Sequence, residues 1–135
     1  MTDTADLVRM VPMFAGLDDE EMAWVAGLAT EFDVPAGFVL IEHGQPGSGM
    51  FIVTDGTISI ELPRGTLERG PGEFVGELAL LADGFTRTAR VRAKTAVQGL
   101  AISRAAFAEL LQKEPMVGVK MLPVLAMRLA EAETP

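Results

Sequence analysis

Residues 38–60, FVLIEHGQPGSGMFIVTDGTISI, carry the pattern that indicates how this chain folds. Three short apolar clusters, at 38–41, 50–53 and 57–60, are separated by segments that contain glycine. Glycine adopts the left-handed backbone of tight turns without steric cost, whereas runs of Val, Ile and Phe favour strands. Short strands with turn signals between them predict an antiparallel barrel or sandwich.

The same alternation extends on both sides of this stretch, from residue 30 to residue 103. Glycines continue to interrupt it, and further strands are predicted at 89–93 and from Val97 to Ile102. We therefore predict a β-roll of about eight strands over residues 30–103.

The two ends of the chain instead show apolar residues at helical spacing. Residues 5–14 predict a short helix disturbed at Pro12, and Asp18 with Glu21 has the spacing of a capping box before a second helix. Ser103 is placed to cap a helix over 104–113, and Pro115 begins another. The prediction is one α+β domain over 1–135, with helices in 5–29, the roll in 30–103 and C-terminal helices in 104–132.

Composition excludes several classes of function. The chain has 135 residues, no cysteine and one histidine, His43, so disulfides and thiol catalysis are excluded and no metal site is expected. Its 11 basic and 19 acidic residues give a net charge of −8, which argues against nucleic-acid binding. No apolar run approaches membrane-spanning length and the N-terminus lacks a basic leader, so we expect a cytoplasmic protein with no membrane segment.

Residues 75–93, VGELALLADGFTRTARVRA, bring together the chemistry of a nucleotide site. Glu77 offers an acceptor for a sugar hydroxyl, and Arg87 offers a planar, permanently charged fork for a phosphate. Gly76 is placed to open a turn whose free backbone N–H groups face an anion. A sugar acceptor and a phosphate cradle in one loop indicate a compact nucleotide.

Two stretches resemble one known family, the cyclic nucleotide-binding domains. Residues 40–56 resemble the family's strand–turn–strand signature, and residues 75–93 resemble its phosphate-binding cassette. The resemblance covers about residues 5–132 and implies a β-roll flanked by helices. It also implies a regulatory domain that binds cyclic AMP or cyclic GMP without reacting with it, needs no cofactor, and signals by rearranging its C-terminal helices.

The resemblance assigns roles residue by residue. Glu77 would accept a hydrogen bond from the ribose 2′-hydroxyl, Arg87 would pair with the exocyclic phosphate oxygens, and Thr88 would bond either the phosphate or the base. The remaining assignments are the backbone N–H groups of Gly76, Leu78, Ala79 and Ala89 in the phosphate cradle, Arg128, Met127 and Val124 as candidate lids over the base, and Leu80 with Phe107 as the candidate relay to the helices.

Alternatives stay open at this point. Arg128 has an equally good interpretation as a solvent-facing arginine on an amphipathic helix. The fold also serves as a structural or interaction module without ligand, in which the apolar last helix pairs with a second copy or a partner protein. A small metal enzyme of cupin type has a similar roll but needs several histidines, so we expect no enzyme. The sequence does not distinguish cyclic AMP from cyclic GMP.

Overall fold

The computed structural model describes residues 3–42, 44, 49–63, 65–77 and 89–133. Helices lie at both ends of the chain: α1 (Thr4–Arg9), a short 3-10 helix (Pro12–Phe14), α2 (Asp19–Leu28), α3 (Arg104–Lys113) and α4 (Pro115–Glu133). Between them lie eight described strands: β1 (Thr30–Val34), β2 (Val39–Ile41), β3 (Gly49–Asp55), β4 (Ile58–Leu62), β5 (Gly65–Arg69), β6 (Phe74–Val75), β7 (Arg90–Ala93) and β8 (Val97–Ser103).

The strands form two four-stranded antiparallel sheets. The first sheet has the order β1-β8-β3-β6 and the second has the order β2-β7-β4-β5. Sequence-distant strands are neighbours in both sheets, as expected when a sheet curls into a roll. The predicted α+β class and the β-roll with helices at both ends are confirmed.

Two apolar clusters hold this arrangement, one on each face of the first sheet. Alternation along β3 explains both, because Met50 and Ile52 pack against the helices whereas Val53 points between the sheets. Phe14 and Phe107 fill the helix-facing cluster, and both side chains are almost fully buried. The helices are therefore attached to the first sheet by core packing, with α4 reaching the edge at which β6 lies.

Local signals in the sequence are realised where the predictions placed them. Asp18 and Glu21 form the predicted capping box at the start of α2, and the Ser103 hydroxyl accepts a hydrogen bond from the Ala106 amide at 3.1 Å. Gly56 turns the chain at φ +91°, where a Cβ would lie 2.2 Å from the Ala96 carbonyl oxygen. Only glycine fits such a turn without displacing the backbone.

Three strands were absent from the sequence-based assignment, namely β1, β5 and β6. The first two are edge strands with largely exposed side chains, so they lack the apolar runs that marked the others. The third has two residues, Phe74 and Val75, which is too short to show a period. These strands exist because their neighbours supply hydrogen-bonding partners, which is information that a local pattern does not contain.

Candidate functional site

The site begins where β6 ends at the edge of the first sheet. Phe74 packs into the helix-facing cluster and Val75 into the cluster between the sheets, so this short strand is fixed from both sides. Gly76 follows with φ +90°, a conformation that L side chains rarely adopt, and it redirects the backbone. Glu77 therefore comes next to the helices, and it is only 4% exposed. A carboxylate that is buried to this extent requires a compensating partner.

Arg128 of α4 supplies that partner. Its Nη1 lies 2.7 Å from Oε1 of Glu77, and its Nη2 donates a hydrogen bond to the carbonyl oxygen of Phe74. The guanidinium carbon also lies 4.5 Å from the centroid of the Phe74 ring, which is a cation–π distance. One arginine thus binds the side chain, the backbone and the ring at the start of the loop.

A second contact joins the same helix to the roll. Arg69, the last residue of β5, places Nη2 3.4 Å from Oε2 of Glu131, and its Nη1 donates to the Glu68 carbonyl oxygen at 3.2 Å. The Arg69 side chain is 13% exposed, and its buried Nε has no hydrogen-bond partner among the described residues. Because Arg128 and Glu131 are one helical turn apart, both contacts lie on one side of α4.

The structure brings together part of the predicted site. Gly76, Glu77 and Arg128 lie together, and Ala89 is buried immediately before β7. The other predicted cassette and relay residues, Leu78, Ala79, Leu80, Arg87 and Thr88, lie outside the described residues. The ligand-binding roles of all of them stay predictions.

The remaining candidates of the helices lie in different surroundings. Phe107 is 2% exposed within the helix-facing cluster, whereas Val124 and Met127 are exposed at 37% and 67%. A role for these residues as relay or lid also stays a prediction.

Three contributors to the site were missed by sequence reasoning: Phe74, Arg69 and Glu131. Phe74 comes immediately before the cassette and had no local signal beyond its apolar character. Arg69 and Glu131 are 62 residues apart in sequence, so nothing short of the folded chain reveals that they meet.

Two other arginines near the cassette in sequence are engaged elsewhere. Arg90 places Nε 2.9 Å from Oε1 of Glu42, and Arg92 places Nε 2.9 Å from Oε1 of Glu61. The hydrogen bond with Glu42 raises the pKa of Arg90 above its ordinary value. Both arginines therefore form ion pairs with carboxylates of β4 and of the segment after β2.

The described part of the chain holds neither a metal-binding cluster nor a membrane-spanning helix. None of its His, Asp and Glu side chains gather in groups of three or more that could hold a metal ion. Among the same residues, no helix has both the length and the apolar character needed to cross a membrane.

Comparison with known proteins identifies the family to which this fold belongs. The profile of the cyclic nucleotide-binding domain matches residues 31–114. A cyclic nucleotide-gated potassium channel of Mesorhizobium japonicum is 37% identical over 111 residues, which is 82% of this chain and 31% of the channel. A cAMP-dependent protein kinase regulatory subunit of Emericella nidulans is 35% identical over 106 residues, covering 75% of this chain and 25% of the subunit.

Solved structures show the same fold. Cyclic-AMP-bound PfPKA-R superposes with a TM-score of 0.82 at 25% identity, covering 96% of this chain and 45% of that one. The N-terminal domain of a transcriptional regulator from Streptomyces coelicolor superposes with a TM-score of 0.69 at 34% identity, covering 94% of this chain and 92% of that one. A regulatory subunit of a cAMP-independent protein kinase A from Trypanosoma cruzi, bound to guanosine, superposes with a TM-score of 0.73 at 27% identity. The match covers 85% of this chain and 42% of that one.

These matches share one domain family, but the whole proteins that contain the domain are of different kinds. The chain spans 31% of the channel and 23% of an uncharacterized NTE family protein of Mycobacterium bovis, to which it is 30% identical over 133 residues, or 97% of this chain. The shared part is therefore a module that occurs in proteins of different kinds. A profile match over 31–114, together with the roll and its flanking helices, shows that this chain belongs to the cyclic nucleotide-binding domain family.

Proposed function

We propose that this chain is a sensor that binds a 3′,5′-cyclic nucleotide, cyclic AMP or cyclic GMP, and transmits its occupancy through α4. The observation that carries the proposal is the contact between Arg128 and Glu77 at 2.7 Å. Glu77 is the residue to which the family resemblance assigns the ribose, and Arg128 belongs to the C-terminal helix. The proposed ligand contact and the proposed output element thus meet at one carboxylate.

The ligand is held by complementary groups in the loop that follows β6. The Arg87 guanidinium pairs with the exocyclic phosphate oxygens, and backbone N–H groups at Gly76, Leu78, Ala79 and Ala89 complete the cradle. Thr88 donates its hydroxyl to the phosphate or the base. The chain has no cysteine and one histidine, so we propose binding without a chemical step.

Glu77 couples the ligand to the helix because a carboxylate accepts several hydrogen bonds. Its Oε1 accepts from Arg128, and an ionised carboxylate has about four acceptor sites, which leaves capacity for the ribose 2′-hydroxyl on the same group. A bound nucleotide also excludes water from the ion pair, which strengthens the attraction. The ligand therefore favours the arrangement in which α4 is attached, and this differential affinity is what shifts the population.

Calorimetric titration tests the proposal directly. Cyclic AMP, cyclic GMP and guanosine are titrated separately into the purified chain, guanosine serving as the ligand that has a ribose and a base but no phosphate. We expect binding of at least one cyclic nucleotide and much weaker binding of guanosine. Absence of cyclic nucleotide binding at millimolar ligand would contradict the proposal, and so would guanosine binding as tight as that of cyclic GMP.

A second candidate function, interaction with another protein chain, is favoured by the opposite side of α4. Met116, Val119 and Leu122 are 56%, 51% and 59% exposed, and Leu129 is 61% exposed on the same helix. Burying such a row is favourable at roughly 25 cal/mol per Å² of apolar area. A homodimer or a partner protein that covers this helix is compatible with nucleotide binding, because the Arg128 side of α4 remains on the roll.

A further inference from the structure

We infer that Arg69 and Glu131 are positioning residues that keep Arg128 on Glu77 and thereby set how firmly the nucleotide is retained. This inference rests on the proposed function, but it concerns a contact between two residues that both lie outside the cassette. Arg69 is at the end of β5 and Glu131 is in the last turns of α4. Their Nη2–Oε2 distance is 3.4 Å.

Two contacts with the roll hold the last turns of α4. Arg128 and Glu131 occupy adjacent positions on one side of α4, and they reach two different places on the roll, Glu77 after β6 and Arg69 at the end of β5. One contact alone leaves a helix free to pivot about it. Two contacts one turn apart, about 5 Å along the axis, fix both the rotation and the height of the last turns.

The order of the four charges allows one register of α4 on the roll. The helix contributes a cation at 128 and an anion at 131, and the roll contributes an anion at 77 and a cation at 69. Sliding α4 by one turn in one direction would place Arg128 against Arg69, and sliding it in the other direction would place Glu131 against Glu77. Both displacements bring like charges together, so the four charges specify a single register.

The strength of the contact separates positioning from general stability. Glu131 is 49% exposed, and loss of a pair of that kind changes an equilibrium by no more than about fivefold. Such a contact is too weak to maintain the roll, yet it biases the last turns of α4 between attached and released arrangements. Arg69 is nevertheless poorly satisfied, because its buried Nε has no partner among the described residues. Loss of Glu131 removes the carboxylate that compensates the charge of Arg69, and this destabilises the arrangement in which α4 is attached to the roll.

The test compares Glu131→Gln and Arg69→Gln with the charge-exchanged pair Arg69→Glu/Glu131→Arg. Glu61→Gln is the matched control, because Glu61 is also a half-exposed carboxylate that pairs with arginines, in its case Arg90 and Arg92 of β7. Hydrogen exchange of the α4 amides is measured without ligand, with α3 as the internal reference. Cyclic nucleotide dissociation rates are measured by stopped flow.

Each single variant is expected to accelerate exchange in the last turns of α4 and to leave α3 unchanged. Nucleotide dissociation should become about two- to fivefold faster, as expected for loss of a partly exposed pair, with little change in the association rate. The charge-exchanged pair should return both quantities part of the way toward wild type, because it restores the contact but not the charge order that excludes other registers, whereas Glu61→Gln should change neither.

Other outcomes overturn the inference in distinguishable ways. Unchanged exchange in α4, or a charge-exchanged pair no better than the single variants, rejects the positioning role. Faster exchange with unchanged dissociation rejects the link to ligand retention and leaves a purely structural pair. A wild-type chain that binds no cyclic nucleotide rejects the proposed function and the retention role with it, and the exchange measurements alone then decide whether Arg69 and Glu131 hold α4.

Discussion

Glu77 is the residue at which the fold and the proposed function meet. It is almost completely buried, and its carboxylate is compensated by a guanidinium from a helix 51 residues later. A buried carboxylate that served only stability would be readily replaced by an apolar residue of similar volume, since buried ion pairs are weak contributors to folding. We propose that the charge at this position, next to a loop with a phosphate-binding pattern, serves ligand recognition.

At the residue scale, Arg87 is the predicted phosphate ligand and Arg90 is its natural control. Arg87→Ala should weaken cyclic nucleotide binding by about 10- to 100-fold, because a hydrogen bond to a charged group is worth roughly 1.5–3 kcal/mol. Arg90→Ala removes an arginine three positions away that pairs with Glu42, and it should leave the affinity nearly unchanged. Calorimetry on both variants measures this, and equal losses would reject the assignment of Arg87.

At the scale of the elements, the junction of α3 and α4 contains a carboxyl group whose ionisation is disfavoured by its surroundings. Glu114 ends α3 directly before Pro115 and is 9% exposed. Burial raises the pKa of Glu114, and a hydrogen bond and like-charge repulsion from Glu21 of α2 raise it further, whereas Lys113 opposes the shift. Because α4 begins directly after this residue, the ionisation of Glu114 takes place where the two C-terminal helices join.

Glu114→Gln should therefore stabilise the chain in a pH-dependent way. A carboxyl group whose pKa is raised by folding contributes stability that is present below its unfolded value, near 4.5, and lost as the pH rises through the folded value. The variant carries no ionisable group at position 114. Its Tm should therefore exceed that of wild type at pH 7 by a few degrees, and the difference should vanish near pH 4. Thermal unfolding at both pH values measures this.

Glu109→Gln provides the control, because Glu109 is an exposed carboxylate on the same helix, α3. It should leave the Tm nearly unchanged at pH 7. A gain for Glu114→Gln that persists undiminished at pH 4, or an equal gain for Glu109→Gln, would show that the ionisation of Glu114 is not the cause.

At the scale of the whole molecule, α4 has two sides with different surroundings. One side holds Arg128 and Glu131 against the roll, and the other presents apolar side chains such as Val119 and Leu122 to solvent. Exposed apolar rows of this kind mark interaction surfaces on otherwise soluble folds. Because both sides belong to one helix, a displacement of the inner side would also move the surface that a partner contacts on the outer side.

We predict that the chain self-associates through this outer side of α4. Leu122→Glu should abolish association, because it places a charge in the apolar contact, while Phe38→Glu alters an apolar residue of similar exposure, 48%, before β2 and should not. Light scattering across protein concentrations, with and without cyclic nucleotide, measures this. A wild-type chain that stays monomeric at every concentration would contradict self-association and leave a different protein as the partner of this surface.

Much of this architecture was predictable because its signals are local. The glycines and apolar clusters of 38–60 predicted the roll, and Asp18, Glu21 and Ser103 predicted helix starts that the structure confirms. Each such signal acts within a turn or a few residues, so it is readable before folding. The edge strands β1 and β5 had no such signal, because only pairing with a neighbour makes them strands.

For this protein, the sequence by itself determined the roll with its flanking helices, the family, and Glu77 and Arg128 as candidate site residues. Only the tertiary structure decided that Arg128 is the partner of Glu77 rather than a solvent-facing arginine, and that Arg69 and Glu131 meet beside them. These pairs join residues 51 and 62 positions apart. The physical reason is that local propensity acts over a few residues, whereas α4 is placed by the core between the helices and the first sheet.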